Sequence, residues 1–147
     1  MPPPVAVREQ ALAAVETAMQ TLGGVTVYRN RSSRIVSLPA VNLVDGGMKA
    51  DDETLGLTRY DMEFSVQGYV DPANDAAIGP AISDLQARIV EALLADPTLG
   101  GVVVDVHEGE SRVDIDRGEG KAPVAMIETD FTVEFFTREG DPYATGP

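Results

Sequence analysis

The sequence predicts an α+β fold, a mainly antiparallel sheet with two main helices packed on one face, in the order α-β-β-β-α-β-β. Two segments repeat apolar residues every three or four positions, which is typical of amphipathic helices. Several other segments alternate apolar and polar residues, which is typical of half-buried strands. Short polar turns join most of these strands. Such an order favours antiparallel neighbours, with the helices gathered on one face of the sheet.

The two helices are predicted at Val5 to Leu22 and at about Pro80 to Ala95. The first ends at Gly23-Gly24, since glycine commonly follows the last helical residue. The second has a proline in its first turn, where the missing backbone N–H costs nothing. The apolar face contains Leu12, Val15, Met19 and Leu22 in the first helix and Ile82, Leu85, Ile89 and Leu93 in the second.

Five strands are expected, and the third is the clearest. Its apolar residues, among them Met62, Phe64 and Val66, alternate strictly with polar ones. The second contains Pro39, which cannot donate to a sheet, so it is expected at an edge or bent there. Residues 45–56 are expected to form a long polar loop and 107–111 a turn. The strands are Val25 to Tyr28, Ile35 to about Val44, Leu57 to Val70, Val102 to Val106, and 122–137.

Length and composition indicate one soluble domain spanning residues 1–147. A Pro-rich arm (1–4) and a polar tail (about 138–147) are expected to be flexible. The chain has no cysteine, which excludes a disulfide framework and a thiolate metal site. The net charge is -13, and such a surface repels phosphate and anionic lipid. Neither a signal peptide nor an apolar run long enough to cross a bilayer is recognised.

Positive charge is concentrated in one short stretch, "RNRSSR", which holds Arg29, Arg31 and Arg34. Residues 1–60 are neutral overall, so the whole net charge of -13 arises from residues 61–147. Two interpretations stay open for the cluster. The arginines pair with carboxylates of their own domain on a solvated turn, or they contact the acidic surface of another protein or of another copy. In the second case the neutral and acidic parts could associate head to tail.

Candidate chemistry is sparse. His107 is the single histidine, and a lone histidine needs a partner to act as a general base. The acidic stretch around His107 is rich in carboxylate oxygens, which are the ligands that hard cations prefer. It lacks the ligand spacing of a calcium loop. We therefore expect a charged hairpin rather than a catalytic or metal site. The carboxylates in this stretch are Asp105, Glu108, Glu110, Asp114, Asp116 and Glu119.

Taken in order, the motifs resemble those of tail terminator proteins of long-tailed (siphovirus-like) phages and phage-like gene transfer particles. The matching segments are "LPAVNLVDGG" after the first strand, "RYDMEFSVQGYV" before a helix, "LADPTLGGVVVDV" leading into the sheet, and a last strand that ends in "TREGDP". Together they cover residues 5 to 143. Each motif alone is weakly specific. Their order and spacing together are moderately specific.

The resemblance implies a structural virion protein rather than an enzyme, with no catalytic residue and no cofactor. Such proteins form a ring, typically a hexamer, that caps the tail tube, stops its polymerisation and joins the head-neck connector (stopper) protein. The genome DNA passes through the lumen without specific binding, and no membrane is involved. The expected location is the tail-neck junction of the virion, after synthesis in the bacterial host cytoplasm. The residues expected at protein interfaces are Arg29, Arg31, Arg34, Asp51, Asp52, Glu53, Arg138 and Asp141.

Two alternatives remain open. Another neck protein, such as a head-closure or tail-completion protein, would differ in the partner that it touches. A small-ligand-binding α+β module would need a concave site with convergent polar groups, for which the sequence offers only His107 and nearby carboxylates.

Overall fold

The computed structural model describes residues 2–35, 37–116 and 124–145, with the side chains of 52–54 left aside. Both predicted helices are present. Helix α1 spans Val7–Gln20, and α2 spans Ile78–Leu94 after a short 3₁₀ turn at Asp75–Ala77. The apolar positions predicted for both helices are buried. No helix in the described part of the chain is long and apolar enough to cross a bilayer.

The five strands form one sheet in the order β1-β2-β3-β5-β4. Strands β1 and β2 are parallel, and every other neighbouring pair is antiparallel. The α+β class, the mainly antiparallel sheet and the element order are therefore confirmed. The strands are β1 (Thr26–Arg29), β2 (Ala40–Thr54), β3 (Leu57–Val70), β4 (Asp105–Asp116) and β5 (Val124–Arg138).

Residues 45–56 were expected to form a loop, and that prediction is wrong. Strand β2 continues to Thr54 and pairs with β3 across a tight hairpin, with a β-bulge between Asp45 and Met48. The composition misleads because this half of β2 is solvated, and residues 47–51 are exposed. Without a buried face, the strand shows no alternation of apolar and polar residues.

Further strand boundaries also differ from the sequence prediction. The strand predicted from Val102 begins only at Asp105, because residues 102–104 belong to the preceding turn. Residues 107–111 are not a turn, since β4 runs through them with a bulge between Glu108 and Ser111. Strand β2 begins only at Ala40, directly after the cis Leu38–Pro39 bond. Pro39 thus lies outside the ladder, and β2 is paired on both sides along Ala40–Leu43, where β1 lies beside it.

The core lies between the sheet and the two helices, which cover the same face. Side chains from α1, α2 and the central strands form one continuous buried cluster. Cross-strand aromatic pairs build its centre, with ring centroids 5.4 Å apart for Phe64 and Phe131 and 5.1 Å apart for Tyr60 and Phe135. A Cβ atom on Gly68 would lie 2.9 Å from a methyl of Leu85. Glycine at this position therefore lets α2 approach β3 closely.

Candidate interaction surfaces

Arg29, the first residue of the predicted cluster, is held inside its own chain between α1 and β2. It donates to both carboxylate oxygens of Glu9, at 2.5 and 2.8 Å, and to both oxygens of Asp45, at 3.0 and 2.9 Å. These hydrogen bonds lower the pKa of both Glu9 and Asp45 below their usual values. Arg8 adds a hydrogen bond to the Gly46 carbonyl at 2.8 Å. The bonds join α1 to the sheet, so Arg29 has a structural role.

Arg31 and Arg34 lie in the connection between β1 and β2 (residues 30–39), on the β1 side of the sheet. The side chain of buried Asn42 anchors this connection, accepting from the Arg31 backbone N–H at 3.1 Å and donating to the Arg31 carbonyl at 3.2 Å. The Arg31 guanidinium lies 4.6 Å from the centroid of the Tyr28 ring. Both arginines are exposed. Within the described residues neither has a carboxylate partner, so both charges face solvent.

The remaining predicted interface residues lie near one end of the sheet, where the β2–β3 hairpin turns. Asp51 is exposed in β2, opposite Arg59 of β3. The side chains of Asp52 and Glu53 lie outside the described residues. Arg138 and Asp141 form a tight backbone turn after β5, in which the Asp141 N–H donates to the Arg138 carbonyl at 2.9 Å. Contact of these residues with a partner stays a prediction.

The tail folds back against this end. The Glu139 N–H donates to the Gly56 carbonyl at 3.0 Å, and the Val7 N–H donates to the Pro142 carbonyl at 2.9 Å. The hairpin turn, the tail and the start of α1 thus meet. Three large apolar side chains, which we call the strand-end surface, project here: Val5 (51% exposed), Leu55 (101%) and Tyr143 (50%).

The sheet face opposite the helices carries a polar ladder that crosses four strands. Asn42 donates to Gln67 at 3.0 Å, Gln67 donates to Glu128 at 2.7 Å, and Arg112 donates to Glu128. Arg112 also donates to Asp130 at 2.8 Å and lowers the pKa of that carboxyl to about 2. Neither the sequence spacing nor the composition predicted this ladder, because its members come from four strands whose register only the structure reveals.

Strand β4 forms the edge of the sheet opposite β1 and is strongly acidic. Its residues 107–114 are all exposed. His107 is exposed too, with Nε2 3.6 Å from an Asp105 oxygen. No ion pair involves Glu110 or Asp114 within the part of the chain that is described. That part also contains no group of three or more histidine or carboxylate side chains placed to hold a metal ion. Glu119 lies outside the described residues.

A shallow groove lies between the two helices. It has a volume of about 360 Å³ and is lined by small side chains such as Ala14, Ala18 and Ala92. The one charged residue there, Asp96, already accepts hydrogen bonds from Thr98 and from the Gly100 N–H. These bonds lower the pKa of its carboxyl. The groove therefore lacks the convergent polar groups of a small-molecule site.

Comparisons with known proteins find no match in sequence but a likeness among solved structures. No protein-family model matches the chain, and no curated protein matches it in sequence. Among solved structures, one similar chain belongs to an assembly described as "Virion of native gene transfer agent (GTA) particle". The two chains share 16% sequence identity with a TM-score of 0.41, over 88% of this chain and 90% of the other. A likeness at this level establishes neither family nor function.

Proposed function

We propose that this protein is a structural virion protein, a tail terminator that forms a ring on the end of a tail tube. The ring stops tube polymerisation and joins the tail to the head-neck connector. The observation that carries the proposal is the strand-end surface. Leu55 is fully exposed at the turn of a long hairpin, and an exposed apolar group in such a position suits burial against another protein.

The molecule offers contact surfaces in two perpendicular directions. The strand-end surface projects along the strands, whereas the β1 side and the β4 edge face sideways. A ring subunit needs both kinds of surface, one for the tube or connector and one for its neighbours. The sequence resemblance over residues 5 to 143 supports this interpretation, and a hexamer is the ring size that it implies.

Electrostatics support passage of DNA through such a ring. The open face of the sheet is lined with carboxylates, among them Asp61, Glu63 and Asp130, and the net charge is -13. Arg59 and Arg112 on the same face are paired with carboxylates. A wall of this kind repels phosphate and presents no cation array that would retain DNA.

The proposal is tested by negative-stain electron microscopy of the purified protein, alone and mixed with tail tubes. We expect rings, or caps on tube ends. Leu55→Asp should abolish capping while leaving the fold intact, because it places a charge in the proposed apolar contact. Ala87→Asp, at an exposed position of α2, is the matched control and should cap normally.

The outcomes separate the proposed function from its alternatives. Rings that do not bind tube ends but bind connector particles would favour the head-closure or tail-completion alternative. Protein that forms no rings and ignores both partners would contradict the whole proposal. Normal capping by Leu55→Asp would show that the strand-end surface does not contact the tube.

A further inference from the structure

The two edges of the sheet carry unpaired charge of opposite sign. On the β1 side, Arg31 and Arg34 are exposed and have no carboxylate partner among the described residues. On the β4 edge, Glu110 and Asp114 are exposed and likewise have no cationic partner there. Five strands spaced by about 4.8 Å place the two edges roughly 19 Å apart. The four side chains are therefore too far apart to pair within one molecule.

Strand β4 is also unusual as an edge. It is 12 residues long, and the sheet order leaves its outer backbone groups without a strand partner within the described residues. The apolar side chain of Val113 is 54% exposed on it. Carboxylates on such an edge discourage indiscriminate pairing with other strands. They still admit a partner that brings positive charge.

We propose that the β4 edge of one copy lies against the β1 side of the next, with Glu110 and Asp114 facing Arg31 and Arg34. The contact itself requires just two copies of the chain. Only the closure of successive contacts into a ring rests on the proposed function. A second copy is the occupant that the charges favour, because the same chain supplies both halves of the contact. The contact joins two different surfaces, so it repeats from copy to copy and closes when the rotation allows.

The test is a charge swap, with self-association measured by sedimentation velocity. Arg31→Glu/Arg34→Glu and Glu110→Arg/Asp114→Arg should each weaken self-association about tenfold or more, because each places like charges opposite one another. The variant with all four changes should recover it, since the pairs are restored with reversed sign. An equimolar mixture of the two double variants should also associate, because each supplies the edge that the other lacks.

A charge-matched control guards against a general effect of net charge. Ala13→Glu/Gln20→Glu/Ser83→Glu/Ala87→Glu changes exposed positions on the two helices, away from both edges, and alters the net charge by the same amount as the arginine reversal. It should associate like the parent protein. Circular dichroism and a urea midpoint for each variant confirm that it folds.

The outcomes separate this inference from the proposed function. A four-change variant that folds and still fails to associate overturns the inference, even if the parent protein caps tubes. Parent protein that stays monomeric at all concentrations overturns it as well. Swap-dependent association without rings or capping supports the edge contact and contradicts the terminator role.

Discussion

At the scale of single residues, the three arginines of the cluster have different roles. Arg29 points toward the helix layer and pairs with Glu9 and Asp45, whereas Arg31 and Arg34 face solvent. The sequence predicted the concentration of charge but not this division. The partners of Arg29 lie 20 and 16 positions away, and only the packing of α1 against β1 and β2 brings them together.

Replacing Arg29 tests its structural role. Arg29→Met should lower the free energy of unfolding by about 1–2 kcal/mol at neutral pH, since it leaves Glu9 without its donor and Asp45 with only the longer ion pair to Arg8, at 3.5 Å. Arg34→Met, which removes no ion pair or ring contact among the described residues, should change it by less than about 0.5 kcal/mol. Urea unfolding with an unchanged slope measures both values. Equal losses for the two variants would argue against the structural role.

The two carboxylates that Arg29 contacts, Glu9 and Asp45, predict how the effect of Arg29→Met depends on pH. The pKa values of Glu9 and Asp45 are lowered in the folded protein, so their contribution is complete above their unfolded values near 4. It is lost as the pH falls through the folded values. The stability difference between parent and Arg29→Met should therefore be constant from pH 6 to 8 and shrink below about pH 4.

At the scale of elements, the long hairpins differ most from what the sequence predicts. The helices and the interior strands β3 and β5 agree with the sequence prediction. Each buries one face, so apolar residues recur at regular intervals in its sequence. The distal half of β2 and most of β4 expose both faces, so their amino-acid composition resembles that of a loop. Their strand state depends on hydrogen bonds to β3 and β5, and register with a distant strand leaves no local signal.

Gly46 and Gly47 make a matched pair for testing the β2–β3 register. A Cβ atom on Gly46 would lie 2.3 Å from the backbone oxygen of Glu63, whereas one on Gly47 would meet nothing within 4 Å. Gly46→Ala should therefore destabilise the protein by about 1–3 kcal/mol, because backbone must shift to admit the methyl group. Gly47→Ala should be within about 0.5 kcal/mol of the parent. Thermal unfolding followed by circular dichroism compares them, and similar midpoints would contradict the bulge geometry.

At the scale of the whole molecule, overall repulsion competes with local attraction. Copies with a net charge of -13 repel one another at long range, while the two edges attract at contact. The sequence revealed the uneven distribution of charge along the chain. It could not show that the unpaired cations and anions lie at opposite edges of one sheet, because that placement follows from the strand order.

This competition predicts an optimum in salt. Added salt first screens the long-range repulsion, since the Debye length falls from about 30 Å at 0.01 M to about 10 Å at 0.1 M. At about 1 M it is near 3 Å, and the contact pairs weaken too. Self-association by light scattering should therefore peak near about 0.1–0.3 M salt. A steady rise up to 1 M would indicate that the contact is mainly apolar.

The hydrogen bond between Val7 and Pro142 has a practical consequence. It brings residues near the two ends of the chain to the same place, beside Leu55, so fusion partners attached at either end would crowd the strand-end surface. A short linker could join these ends, and the chain could be reopened at exposed Ala73, beyond the opposite end of β3. Such a circular permutant would carry a fluorescent reporter on the far side of the domain, leaving the apolar residues clear.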